Sequence, residues 1–301
     1  MADGGPGLDA APAIALGAAR GTARRGTSTL RLMFSGAGGV GAAIIVIASL
    51  AALFAPWVAP YDPVALDPPA RLLGPTAEHW LGTDQYGRDT LSRIVYGGRA
   101  SLSVAAAATL FALLVGGTLG VVAAYYRGWL DPLIMRVTDV LLSFPAILLA
   151  IALLAFLGQG MVNLVLAIGL VYVGPFARVA RAAVLTVREE LFVEASRSLG
   201  SRDWRVLLKA VLPMASAPLI VEVTLRLAYG ILAEASLSFL GLGTQPPAAS
   251  WGLMVAEGRR FLQLSPWATV APGLAIMVVV LGFNLFGDAL RDALDPRTRG
   301  R

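Results

Sequence analysis

Residues 139–184 read DVLLSFPAILLAIALLAFLGQGMVNLVLAIGLVYVGPFARVARAAV. Two apolar segments, about 139–158 and 162–184, are parted only by Gly158-Gln159-Gly160, which suits a tight hairpin. A helix that crosses the hydrocarbon core of a bilayer needs about 20 predominantly apolar residues, and each segment supplies them. Four more segments of this kind flank the pair, at about 38–58, 102–126, 211–236 and 268–290. The chain is therefore predicted to be an all-α integral membrane protein with six transmembrane helices.

Composition points the same way. Of 301 residues, 57% are hydrophobic and 14% charged, against about 25% charged in an ordinary soluble domain. A lipid-facing protein needs no polar surface over most of its area. The net charge of +5 would suggest nucleic acid in a soluble chain. Here no basic run is interleaved with aromatics as a nucleic-acid surface requires, and nucleic acid is not expected as a partner. There is no cysteine, which removes disulfides, thiol catalysis and zinc–thiolate sites. The single histidine, His79, excludes a multi-histidine metal site, and we read it as a structural loop residue.

Arginine and lysine set the orientation. With the N-terminus inside, 17 basic residues fall on the inner parts, while 6 fall on outer loops: Arg71, Arg88, Arg93, Arg99, Arg259 and Arg260. That asymmetry predicts both termini in the cytoplasm. Residues 1–35 are expected to form a flexible cytoplasmic tail. Residues 36–101 would hold the first transmembrane helix and an outer loop. Residues 102–301 would hold five more helices, with a cytoplasmic loop at about 185–213. The first apolar run begins too late, and is too long, for a cleaved signal peptide, so it should stay as a signal anchor.

Local signals refine this picture. In the outer loop at 59–101, Asp89 can cap a short interfacial helix with Leu91, Ile94 and Val95 on one face. Trp251 and Trp267 suit an aromatic belt at the membrane boundary. Gly116 and Gly120 form a GxxxG on which another helix can approach closely.

The most informative inner segment reads Glu194-Ala195-Ser196-Arg197-Ser198-Leu199-Gly200, then nine residues to Lys209, then Ala210-Val211-Leu212-Pro213. It predicts a helix, a break at Gly200 in the left-handed conformation, and a second helix capped by Ser201. Trp204 with Leu207 or Leu208 gives the second helix an apolar stripe. A helical hairpin joined rigidly to a membrane helix is suited to a groove in a soluble partner.

This spacing resembles the EAA loop of ABC importer permeases, with Ser196 in place of the second alanine and Ala210 in place of the usual isoleucine. Three further segments resemble one subgroup, the permease subunits of dipeptide, oligopeptide and nickel importers. They are residues 79–89, which include Gly82, Thr83, Asp84, Gly87, Arg88 and Asp89, residues 233–243, and residues 284–296. The resemblance runs from about residue 30 to the end. It implies the type I ABC importer permease fold in a cell inner membrane, and coupling to an ATPase through Glu194, Ala195, Ser196, Gly200, Leu212 and Pro213. It also implies a heterodimer with a second related permease, ATP-binding subunits below, and an extracytoplasmic solute-binding protein above. No cofactor is expected in this chain; ATP and Mg would sit on the partner subunits. Peptide is preferred over nickel as cargo because peptide systems are the commoner members.

Polar residues inside the apolar segments are the remaining candidates. Glu222 and Arg226 are four apart, so they share a helix face and can pair. Tyr229 and Ala233 continue that face. Ionisable groups at such depth face a bundle interior or an aqueous path, so the pair either lines a translocation path or locks helices together. Glu234 can bond to backbone in the Gly-rich turn that follows it. Asn284 and Asp288 share a face and suit helix–helix hydrogen bonding.

Two other classes fit the sequence less well. A P-loop needs a Gly-Lys-Ser/Thr core, and Lys209, the only lysine, lies between Leu208 and Ala210. Energy must therefore come from another chain or an ion gradient. A secondary transporter would have coupling carboxylates and usually a repeat, and residues 1–150 and 151–301 show no evident similarity. An intramembrane enzyme would need a nucleophile–base pair, and with no cysteine and one histidine, in an outer loop, such pairs are scarce; no catalytic residue is assigned.

Overall fold

A computed structural model of the chain describes residue 34 and residues 36–294. The tail expected at 1–35, except Phe34, and the motif residues beyond Leu294 lie outside this range. Helix α1 spans Gly36–Leu53, and α2 runs unbroken in direction over Thr90–Tyr126. A bent pair follows, α3 at Leu130–Ser143 and α4 at Ala146–Leu157. Then come α5 at Met161–Arg188, α6 at Leu191–Ser198, α7 at Asp203–Phe239, α8 at Trp251–Gly258 and α9 at Trp267–Leu294. Among the described residues, five helices are long and apolar enough to cross a membrane, or six if the bent pair counts as one span.

The third predicted span is corrected. Residues 139–158 do not form one straight helix: α3 and α4 meet at 93°. The break falls where Phe144 precedes Pro145, and both are extended, with ψ of 140° and 128°. Proline disfavours the helical conformation in the residue before it. The tight turn at Gly158-Gln159-Gly160 is present, with φ of +85° at Gly158 and +135° at Gly160.

The expected short interfacial helix is also corrected. Asp89 caps a helix, its Oδ2 accepting from the Ser92 backbone N–H at 2.7 Å, but that helix is α2 itself. No proline interrupts it, and the Gly97-Gly98 pair is held against Trp251, whose ring a Cβ on Gly98 would touch. Trp251 is therefore buried rather than placed in a belt, with its indole N–H donating to the Ile94 carbonyl at 2.9 Å. Trp267 is 41% exposed, as a belt residue would be.

Helix α5 is the centre, packing against α2, α3, α4 and α7. Its buried side, Leu164, Ile168, Phe176, Ala177, Ala180 and Val184, joins two apolar clusters along its length. Helix α9 packs on α1 and α7. The close approach expected at the GxxxG is made by α2 against α5. A Cβ on Gly116 would strike the Val173 carbonyl and Phe176, and one on Gly120 would strike the Ala177 carbonyl and Ala180. Lipid gives little hydrophobic drive for helix association, so close van der Waals packing of this kind holds the bundle.

Replacing Gly120 with isoleucine should therefore force α2 off α5, at about 1–3 kcal/mol. Gly117→Ala is the control, because its Cβ would meet only Leu113 at 3.6 Å. Thermal unfolding in detergent should show a lowered midpoint for Gly120→Ile and none for Gly117→Ala.

Candidate functional site

Functional candidates fall at three levels along α2 and α7. At the Thr90 end of α2 the loop motif folds into a polar platform. Asp84 Oδ1 accepts the backbone N–H of Tyr86 at 2.8 Å and of Arg88 at 3.0 Å, while Oδ2 accepts from Arg88 Nε at 2.6 Å. Buried Thr83 donates its hydroxyl to the Ala70 carbonyl. Gly82 and Gly87 have φ of +72° and +78°, and a Cβ on Gly87 would collide with the Asp67 carbonyl. Asp89 joins the helix cap to His79, whose Nδ1 lies 2.9 Å from Asp89 Oδ1. Arg88 and Arg93 converge on Glu257 of α8, each 3.0 Å from its Oε2. A buried charge needs such partners. The sequence reading missed Glu257 and the burial of Arg93.

Below the platform, Glu234 is fully buried. Its carboxylate accepts from Ser101 Oγ at 2.8 Å and Ser238 Oγ at 2.7 Å. The expected bond to backbone of the Gly-rich turn is not made by Glu234. Instead Ser238 Oγ accepts from the Thr244 N–H at 3.3 Å. Glu234 thus ties α7 to α2.

Midway along α7, Arg226 Nε donates to Glu222 Oε1 at 2.6 Å. The guanidinium sits 5.2 Å from the Tyr172 ring centre and 5.8 Å from that of Tyr229. The pair separates two cavities. Glu222 lines one of 590 Å³ with Met214, Pro218 and Arg291. Arg226 lines one of 300 Å³ with Tyr172, Tyr229 and Ala233.

At the other end, α6 and the start of α7 form the predicted hairpin. Gly200 has φ +76°. Its N–H donates to the Arg197 carbonyl at 2.9 Å and the Ser201 N–H to the Ser196 carbonyl at 3.2 Å, the paired bonds of a Schellman termination. The expected Ser201 cap is corrected: Arg202 occupies the cap position, without a side-chain bond. The second helix, the first turn of α7, continues into the rest of α7 through a π turn at Leu207–Val211. Pro213 cannot donate to the carbonyl four residues back, which is Lys209, and the wider turn accommodates that loss. Leu212 packs in the apolar cluster that holds buried Val193 and Val206. Glu194, Ala195 and Pro213 are exposed, and Ser196 donates its hydroxyl to the Phe192 carbonyl at 2.8 Å.

Comparison with known proteins places this geometry. A family described as binding-protein-dependent transport system inner membrane component matches residues 116–300. The chain belongs to this family. A second family, the N-terminal TM domain of oligopeptide transport permease C, matches residues 31–75 of the permease. The dipeptide transport system permease protein DppC of Alkalihalophilus pseudofirmus is 47% identical, over 86% of both chains. The glutathione transport system permease protein GsiD of Pectobacterium atrosepticum is 43% identical, over 86% of this chain and 87% of its own. The fold is that of the inward-facing MetNI methionine ABC transporter chain, with a TM-score of 0.57 at 18% identity, covering 68% of this chain and 98% of that one.

One expectation for the permease is not met within the chain. Asn284 and Asp288 are exposed on α9 and make no helix–helix hydrogen bond among the described residues. The guanidinium of Arg197 lies 5.3 Å from the Tyr125 ring centre. Tyr125, at the end of α2, is the residue the sequence reading missed here. Its hydroxyl donates toward Asp203, 3.1 Å from the backbone carbonyl and 3.0 Å from Oδ1, and Arg188 lies 5.9 Å from its ring centre. The hairpin is thereby fastened to α2. Tyr125→Phe should cost about 1 kcal/mol, the worth of one hydrogen bond. Tyr125→Ala, which also removes the buried ring, should cost about 3–5 kcal/mol. Thermal melting of the two purified variants checks the order.

Proposed function

We propose that this permease is one half of a heterodimeric peptide importer driven by ATP. The bent pair counts as one span, which makes six, and both termini lie in the cytoplasm of a cell whose inner membrane holds the protein. A tail at 1–35, a first helix and outer loop at 36–101, and a core from 102 are its working parts. ATP-binding subunits, carrying the ATP and Mg, take the hairpin. A solute-binding protein delivers cargo at the platform end. Dipeptide and glutathione are the cargoes named for the two relatives; both are peptides, which favours peptide over nickel.

The observation that carries this reading is the hairpin. It is continuous with α7, fastened to α2, and presents apolar Leu191, Leu199, Trp204 and Leu208, from 50% to 87% exposed, beside the exposed Glu194 carboxylate. Such a surface fits a groove in a soluble partner. ATP-driven closure of the partners would move the hairpin, and α7 would carry that motion to Glu222 and Arg226.

The test is transport by the reconstituted complex. Gly200→Val adds a Cβ to a left-handed residue with open space around it, so the cost is backbone strain of about 1–2 kcal/mol, and the hairpin is misdirected. Glu194→Lys reverses the charge presented to the partner. Both variants should insert and assemble, yet lose solute uptake and the stimulation of ATP hydrolysis by loaded binding protein. Wild-type uptake by both would remove residues 194–213 from the coupling role.

A further inference from the structure

We propose that Arg226 is a carboxylate-binding station on the transport path, specific for the free C-terminal carboxylate of a peptide; this rests on the reading of the chain as a peptide permease. Arg226 has five N–H donors on a planar fork. Glu222 takes only the one on Nε, at 2.6 Å. The two terminal amino groups have no acceptor among the described residues, and the side chain is 23% exposed. Arg226 borders the 300 Å³ cavity, at the lower end of the range of about 300–1,000 Å³ for small-ligand sites.

The rest of that cavity is apolar. Ala146, Ile147 and Ala150 come from α4, Ile168 and Val171 from α5, and Leu232 from α7. Its one other side-chain hydroxyl outside the tyrosines, on Ser236, is spent on the Leu232 carbonyl at 2.7 Å. A lone guanidinium fork at the edge of an apolar chamber matches a small molecule with one carboxylate and apolar bulk. Fork-to-carboxylate pairing is bidentate and stronger than neutral hydrogen bonding. The tyrosine rings at 5.2 and 5.8 Å and the Glu222 bond fix the fork before any ligand arrives. The α4 wall of the cavity follows the 93° bend from α3; interrupted helices at membrane depth are tolerated where they line a cavity. Glu222 neutralises Arg226 at rest, so the station holds an anion weakly enough to release it. Glu222 itself faces the second cavity, one helical turn nearer the hairpin.

The experiment uses the full complex in proteoliposomes, with its binding protein, and two probes: alanyl-alanine and alanyl-alanine amide. Uptake of each is read per ATP hydrolysed. The variant is Glu222→Gln with Arg226→Gln, which removes both charges and strands neither. The same binding protein serves both permeases, so its own preference cancels in the comparison. We expect uptake of the acid to fall at least tenfold, uptake of the amide to stay within twofold, and stimulated ATP hydrolysis to persist. Arg226→Lys, which keeps the charge and loses the fork, should fall between. Equal losses for acid and amide, loss of ATP hydrolysis, or no loss for either would overturn the station. Absence of binding-protein-stimulated hydrolysis in the wild type would instead overturn the peptide-permease reading, and the station with it.

Discussion

The close approach of α2 to α5 is the contact on which the rest depends. In a bilayer the backbone must satisfy its own hydrogen bonds, so the chain is helical throughout its apolar segments. Helices then need a reason to associate that lipid does not give them. Gly116 and Gly120 allow α2 to lie with its backbone against the Val173 and Ala177 carbonyls. Once those two helices are joined, α7 fits between them and α9, tied to α2 by the Ser101–Glu234 bond. The platform above and the hairpin below are both fastened to ends of α2, through the Asp89 cap and through Tyr125.

That construction would let distant parts act together in the proposed transport cycle. Helices α2 and α7 each span 37 residues, about 55 Å at the helical rise. Rigid elements of that length carry a displacement at one end to the other. The hairpin sits at one end of α7, the Glu222–Arg226 pair near its middle and Glu234 toward the far end. The energy of the cycle would enter at the hairpin, and the two cavities flanking the pair would feel it.

Most of the span pattern was legible because hydropathy is a local property. The helices near 38–58, 162–184, 211–236 and 268–290 are where the apolar runs put them. Hydropathy does not encode direction, so the bend at Pro145 was missed although Ser143-Phe144-Pro145 carried its signal. The start of α2 was missed because residues 90–101 include Arg93 and Arg99. Arg93 can be buried because Asp84, nine positions back, and Glu257, 164 positions on, both pair with it. The same rule divides the site. Glu222 with Arg226 and the turn at Gly200 depend on neighbours within one or two helical turns, and both were readable. The Glu234–Ser101 bond spans 133 positions and the Tyr125–Asp203 bond 78, and nothing in the local pattern marks either partner.

In the proposed orientation, the platform and the hairpin lie on opposite sides of one membrane. The chain has no cysteine, so single ones report cleanly. Ala77 and Ser198 are both exposed, one on the platform and one on the hairpin. An impermeant thiol reagent applied to spheroplasts should label Ala77→Cys at once, and Ser198→Cys only after the membrane is opened. Labelling of both from the outside, or of Ser198→Cys alone, would contradict the orientation and with it the coupling of the hairpin to cytoplasmic ATP-binding subunits.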